Sequence, residues 1–226
     1  TCSGLSVVTL MAHQGTPPAH LPATLLNLPL FHVTGEVVVM LQSFAIGRKM
    51  VVMRRWDALE ALRLVEAERI TYITGVPLMG LELAMHPDRD AFDLASLTDI
   101  AAGGAPRPAE QVVRLRSGLP AAWPSFGFGL TETNAVGTGI IRDAALAHAD
   151  SPGLAKRAVA ELAVFGEGGG ELGADAEGEI GIRSIANISG YWNRPDDTAR
   201  LFSPEGYLMT GGLGRIGGGG YVTIAG

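Results

Sequence analysis

The stretch ITYITGVPLMGLELAM, residues 70–85, decides the fold class. Ile70 to Thr74 is β-branched and aromatic, a composition that suits a pleated, half-buried surface. Pro77 then stands where a first helical turn tolerates a missing N–H, so a strand passes through Gly75-Val76 directly into a helix reaching about Met85. The same unit repeats on both sides. Upstream, Ala23 to Leu30 reads as a strand, the segment after Gly35 as a helix running toward Ile46, and Lys49 to Met53 as a second strand. Asp57 with Glu60 three residues on has the spacing of a capping box, and Leu59, Leu62 and Val65 recur on one face of the helix it opens. Downstream, Asp99 to Ala102 is a strand and Pro108 to Arg116 a helix, with Gly118 expected as its left-handed stop. Repeated strand-helix units from about Ala23 to Gly129 predict an α/β fold with a parallel sheet flanked by helices.

After about Ser151 the pattern changes. Glu161 to Phe165, Glu179 to Arg183 and Tyr221 to Ile224 are short strands between Gly-rich turns, and Pro195-Asp196-Asp197 opens one short helix. The expected organisation is an α/β subdomain over 1–150 and a smaller β-rich subdomain over 151–226. The composition of the 226 residues, 47% hydrophobic and 18% charged, is too apolar for disorder. A net charge of −6 without a long Lys/Arg run argues against nucleic acid as the main partner and for a small molecule. The longest apolar candidate, Leu25 to Ile46, is interrupted by Asn27, His32, Glu36 and Gln42, so no integral membrane segment is expected. A lone cysteine, Cys2, excludes an intrachain disulfide and suits a reducing, cytoplasmic setting. The chain opens at Thr1 without a signal-peptide pattern, and both ends are expected to be cut.

In a parallel sheet of this kind ligands bind where strand-to-helix loops gather at the carboxyl ends. The loops in question are Phe31-His32-Val33-Thr34-Gly35, Gly75-Val76-Pro77, Gly103-Gly104-Ala105-Pro106 and Gly127-Phe128-Gly129-Leu130-Thr131-Glu132. All contain glycine, which lets backbone approach a ligand closely. Other candidates carry less. Gly168 to Gly173 satisfies G-x-G-x-x-G but lies between strands and reads as a hairpin. His32 and Glu36 give two metal ligands where zinc wants three or four. Asp88, Asp90 and Asp93 lack the glycine and terminal Glu of a calcium loop and read as turn and cap residues. His13, His20, His86 and His148 read as surface residues, and no G-x-S-x-G elbow exists for a serine hydrolase.

Five motifs in order carry a resemblance: LPLFHVTG at 28–35, GGAPRP at 103–108, GFGLTET at 127–133, GEIGIRSIANISGYW at 178–192 and GYLMTGGLGRI at 206–216. The chain resembles the adenylate-forming acyl-CoA synthetases, the AMP-binding superfamily that also contains luciferases and peptide-synthetase adenylation domains, and is most similar to bacterial fatty-acyl or related carboxylate CoA ligases. The resemblance implies a two-step reaction using ATP, Mg²⁺ and coenzyme A, in which a carboxylic acid becomes acyl-AMP and then acyl-CoA. It implies that Phe128 stacks on adenine between Gly127 and Gly129, that Thr131 donates to a phosphate oxygen and that Glu132 holds Mg²⁺. It further implies that Gly103, Gly104, Ala105 and Pro106 form a wall between adenine and acyl group. His32 and Val33 would then lie near the carboxylate, and Gly75, Val76 and Pro77 along the acyl side.

Departures from the family pattern bear on the same reading. Relatives place an Asp in the TGDL motif to accept from both ribose hydroxyls, and this sequence has Gly212. Gly217 to Gly220 stands in place of the usual acidic turn. The Ser/Thr/Gly-rich phosphate loop is not matched by Ser3-Gly4, and the mobile C-terminal domain of relatives has no counterpart. The chain is therefore expected to be the central part of a longer enzyme and inactive alone. Two alternatives are a non-catalytic acyl- or nucleotide-binding remnant and an adenylation domain that loads a carrier protein.

Overall fold

The computed structural model describes residues 22–155 and 159–225. The readings made on Thr1, Cys2, Ser3-Gly4, His13 and His20 fall outside them. Strands β1 (Ala23–Leu26), β2 (Lys49–Val52), β3 (Tyr72–Gly75), β4 (Asp99–Ala102), β5 (Trp123–Phe128) and β6 (Thr138–Ile141) form one sheet in the order β2-β1-β3-β4-β5-β6. The first five are parallel, as the repeated units predict, while β6 closes the edge antiparallel to β5. That reversal is possible because residues 129–137 turn back without a crossover helix, whereas parallel neighbours need one.

Helices α1 (Gln42–Ile46), α2 (Ala58–Glu68), α3 (Pro77–Met85), α4 (Ala109–Gly118) and α5 (Arg142–Ala147) accompany the sheet. Register places Leu25, Ile73 and Ile100 side by side on one sheet face. They pack there with Leu62 and Val65 of α2, Leu83 of α3 and Leu115 of α4, in a core whose strand and helix residues are almost wholly buried. At ~25 cal/mol per Å² of apolar surface, each such side chain contributes roughly 1.5–3 kcal/mol, which holds three helices to one sheet face. The Asp57 carboxylate accepts from Glu60 N at 2.8 Å, so the expected N-cap of α2 forms.

Two local expectations change. Gly118 does not end α4 as a left-handed residue but lies inside the helix, where a Cβ would stand 2.4 Å from Ala84 O. Close approach of α3 and α4 requires that glycine. The helix expected after Gly35 is a π-helix over Thr34–Leu41 followed by α1; over eight residues an apolar pattern does not separate i→i+4 from i→i+5 bonding. Buried Arg48 closes this segment by donating from Nε to Ser43 Oγ at 3.1 Å and from Nη2 to Gln42 Oε1 at 3.2 Å. Its guanidinium also lies 5.0 Å from the Tyr72 ring centroid, and burial lowers its pKa.

Beyond Ser151, strands β7 (Ala160–Phe165), β8 (Gly178–Ser184), β9 (Leu208–Ile216) and β10 (Val222–Ile224) form a second, antiparallel sheet in the order β10-β9-β8-β7, with α6 at Pro195–Leu201. Gly166 N donates to Gly170 O at the tip between β7 and β8, so the glycine-rich run 168–173 is a hairpin connection. Phe128 and Leu130, at the end of the first sheet, pack against the apolar cluster of Ala155, Leu162, Ile180, Ile182 and Val222.

Candidate functional site

Parallel pairing puts the carboxyl ends of β1, β3, β4 and β5 side by side, so the four glycine-containing loops share one rim in the order read from the sequence. Three strand ends there present bare backbone. Gly103 N donates to Gly75 O at 3.2 Å, and a Cβ on Gly103 would stand 3.1 Å from Gly127 O. On Gly75 a Cβ would meet Met79 Sδ at 2.6 Å. On Gly127 it would stand 3.1 Å from Thr138 O, so the row Gly75, Gly103, Gly127 lets neighbouring groups pack closely at the strand ends, with Gly75 buried and Gly103 and Gly127 half-buried. Gly104 follows at φ 71°, a turn geometry that favours glycine.

The loop after β5 is the most constrained part of the rim. It forms a short 3₁₀ turn over Thr131–Thr133, in which Thr133 Oγ1 accepts from Leu130 N at 3.0 Å. Asn134 and Ala135 both have positive φ, at 51° and 61°. A Cβ on Gly129 would stand 2.7 Å from the Ala135 backbone, so the loop folds tightly on itself. Three bonds then tie it to the segment before α6. Ile188 N donates to Glu132 O at 2.8 Å, Asn134 Nδ2 to Ala186 O at 2.7 Å, and the Tyr191 hydroxyl to Glu132 Oε1 at 2.8 Å. The carboxylate raises the Tyr191 pKa through that bond, which keeps the phenol protonated as a donor.

The other expected residues are distributed unevenly. Thr131 is exposed and Glu132 half-buried, at the same loop. Phe128 is half-buried because part of its ring packs on the second sheet. Val76 is exposed at the rim, whereas Pro77 is buried beneath it. His32 is exposed, with Nδ1 accepting from Thr34 N at 3.3 Å, and Val33 is buried. Among the described residues no hydrogen bond or ion pair joins His32 to Thr131 or Glu132. Nor do they include a group of three His, Cys, Asp or Glu residues placed to hold a metal, so any cation at Glu132 needs ligands from elsewhere. Asp93 serves a turn as expected, its Oδ1 accepting from Ala95 N at 3.0 Å, while His86, expected at the surface, is half-buried and accepts at Nδ1 from Asp88 N at 3.2 Å. His148, expected at the surface, stacks on Tyr221 with ring centroids 3.7 Å apart. A cavity of about 270 Å³, lined by Phe92, Leu94, Leu97, Leu119 and Ala122 among others, lies at the opposite ends of the strands. It is separate from the rim.

Sequence reasoning missed two polar residues of this region. Tyr191 lies inside the GYW motif, but its partner Glu132 is 59 positions away and no local spacing shows the pair. Arg107, in GGAPRP, lies with its guanidinium 4.4 Å from the Phe126 ring centroid. Its buried Nε and Nη2, and Oε1 of nearby Gln111, have no hydrogen-bond partner among the described residues. Desolvation pulls its pKa down to about 10. The sign follows from linkage: a cation with a depressed folded-state pKa destabilises the fold below about pH 10, and the cost is relieved as pH rises from there toward the ordinary arginine range. Arg107→Met is therefore expected to stabilise the protein at pH 7 by about 1 kcal/mol, after allowing for partial exposure and the lost cation–π contact. Urea denaturation at constant m-value measures it, and an unchanged or lower midpoint would show that the guanidinium is satisfied after all.

A family model described as AMP-binding enzyme matches residues 5–192. Among curated relatives, 4-coumarate–CoA ligase-like 6 of Oryza sativa subsp. japonica is 34% identical over 89% of this chain and 33% of its own length. A long-chain-fatty-acid–CoA ligase of Bacillus subtilis (strain 168) is 30% identical over 88% of this chain and 35% of its own. The chain thus spans about a third of the length of the curated relatives it matches. Among solved structures, the N-terminal domain of FACL13 from Mycobacterium tuberculosis superimposes with a TM-score of 0.85 at 28% identity, covering 99% of this chain and 55% of that one. The amide bond synthetase McbA from Marinactinospora thermotolerans superimposes with the same TM-score at 26% identity, covering 99% and 44%.

Proposed function

Because the chain belongs to the AMP-binding enzyme family, we propose that the protein carrying it activates a carboxylic acid, of fatty type, with ATP and passes the acyl group to coenzyme A. A carboxylate oxygen attacks the α-phosphorus, the bond to pyrophosphate breaks, and acyl-AMP forms. The CoA thiolate then attacks the acyl carbon and AMP leaves. Both steps bring negative charge together, so oriented donors and a cation serve them better than a protein nucleophile.

The observation that carries this reading is the constrained loop of GFGLTET at the rim, with Glu132 and Thr131 presented beside the glycine-lined strand ends. Glu132 is a single hard carboxylate with Oε1 held by Tyr191, which suits Mg²⁺, an ion that takes one or two carboxylates plus phosphate oxygens and waters. Such an ion, when bound, supplies charge neutralisation of the phosphates. In this reading Glu132 holds it, Thr131 donates to a phosphate oxygen, and the backbone of Gly103 to Pro106 and Gly127 to Gly129 walls the adenine, with Phe128 against its face. His32 and Val33 flank the acid, and Gly75, Val76 and Pro77 the acyl chain.

Acid-dependent exchange of pyrophosphate into ATP by the complete protein tests the first step. Exchange should appear with some member of a panel of aliphatic and aromatic acids, and a CoA thioester should then be detectable by mass spectrometry. Silence across the whole panel would overturn the proposal. Exchange without thioester formation would redirect the second step to another acceptor, such as a carrier-protein thiol or an amine. Gly212 favours one further reading, a binding remnant without nucleotide chemistry. Calorimetry separates the two, since a remnant binds acyl-CoA but shows no Mg²⁺-dependent ATP binding.

A further inference from the structure

We infer that Tyr191 is a positioning residue for Glu132, fixing which carboxylate oxygen faces the phosphates. The inference rests on the reading of Glu132 as the metal-holding group. A carboxylate only accepts, so the 2.8 Å contact has the phenol O–H donating to Oε1. That bond takes one lone pair of Oε1 and turns the carboxylate so that Oε2, which has no hydrogen bond among the described residues, is the less encumbered oxygen for a cation. Without it, a glutamate at an open rim samples several rotamers, and binding a cation carries the entropic cost of selecting one.

The tyrosine is itself held. Its backbone N donates to Thr198 Oγ1 at 2.9 Å, and the Thr198 hydroxyl donates to Arg194 O at 2.8 Å in the first turn of α6. Gly190, at φ 151°, passes so close to Thr198 that a Cβ there would stand 2.5 Å from Thr198 Cγ2. The Ile188 and Asn134 bonds fix the two backbones against each other from the other side. Glu132 is thus restrained by a segment 59 residues away that is anchored on α6. A general packing role does not explain the arrangement, because Tyr191 is 39% exposed and its hydroxyl reaches the one carboxylate of this loop.

The test uses the complete protein with Tyr191→Phe, Glu132→Gln and the double substitution. Titration calorimetry measures ATP binding at a series of Mg²⁺ concentrations, and thermal melts confirm folding. Tyr191→Phe should raise the apparent Mg²⁺ dissociation constant about three- to tenfold, less than the full worth of one charge-assisted hydrogen bond because the site is partly exposed, while leaving metal-free ATP binding unchanged. In the Glu132→Gln background the same substitution should add nothing. An unshifted Mg²⁺ dependence for Tyr191→Phe, with Glu132→Gln clearly shifted, overturns the positioning role alone. An equal decrement in both backgrounds also overturns it, since Tyr191 would then act independently of Glu132. If Glu132→Gln itself leaves the Mg²⁺ dependence unchanged, the metal-holding reading fails and the inference falls with it.

Discussion

Glu132→Gln in the complete protein is expected to lower acid-dependent pyrophosphate exchange by about 10²–10³-fold, the loss seen when one preorganised electrostatic contact to a developing charge is removed. The substitution is nearly isosteric, and the local bonds survive it. The oxygen of the introduced amide can still accept from the Tyr191 hydroxyl, and the main-chain bond from Ile188 N to the carbonyl at position 132 does not involve the side chain. What disappears is one negative charge at the open rim. Stability should therefore change by less than about 0.5 kcal/mol, as for surface positions without a special structural role. Exchange kinetics with a parallel thermal melt check both halves of this expectation. Full exchange activity in a normally folded variant would move the metal-holding role to another residue.

The parallel sheet was legible because each strand-helix unit carries its own local signals. Asp57 caps α2 within three residues, Pro77 starts α3 in place, and the β-branched run before it favours a strand. The glycines at 75, 103 and 127 read as loop residues in the sequence, whereas the structure puts Gly75 at the last position of β3 and Gly127 within β5, with only Gly103 beyond its strand. Their adjacency was inferable once the strands were taken as parallel, since parallel strands put all their carboxyl ends on one side. What stayed hidden depends on partners far apart in the chain. Gly118 looked like a helix stop because its requirement, room for the Ala84 carbonyl, belongs to a different helix. The β6 reversal turns on backbone at Asn134 and Ala135 whose positive φ the residue types permit but do not announce. Tyr191 meets Glu132 only because the second sheet carries the GYW segment back to the end of β5. Arg107 shows the same limit in energetic form: nothing in GGAPRP says that this cation packs on Phe126 with two buried nitrogens unpaired among the described residues.

Gly212→Asp in the complete protein is expected to tighten ATP binding by about tenfold. Gly212 sits half-buried on β9, with its N–H donating to Thr210 Oγ1 at 3.1 Å. Unlike Gly211, which has φ 72°, it is not in the left-handed region, so an aspartate can take the position without backbone strain. Its carboxylate would supply an acceptor for ribose hydroxyls. A pair of charge-assisted bonds carries roughly 1.5–3 kcal/mol each before costs. Two costs reduce the gain. The new side chain loses rotamer freedom when it binds, and it enters beside a second carboxylate, because Glu179 Oε1 already accepts from Gly211 N at 2.8 Å. A net gain of about 1.4 kcal/mol is a factor of ten in the dissociation constant. Calorimetric titration of ATP, with adenine and 2′-deoxy-ATP as controls, measures it, and the gain should shrink for 2′-deoxy-ATP, which keeps only the 3′-hydroxyl, and vanish for adenine, which has neither. The neighbouring Glu179 makes the opposite result equally informative. If Gly212→Asp leaves affinity unchanged while Glu179→Gln weakens it, the free oxygen of Glu179 already meets the ribose, and the glycine at 212 marks a shifted acceptor in a working nucleotide site. If neither substitution moves ATP affinity, the ribose is not read from this strand at all, and the binding-remnant reading gains the ground that the CoA-ligase proposal loses.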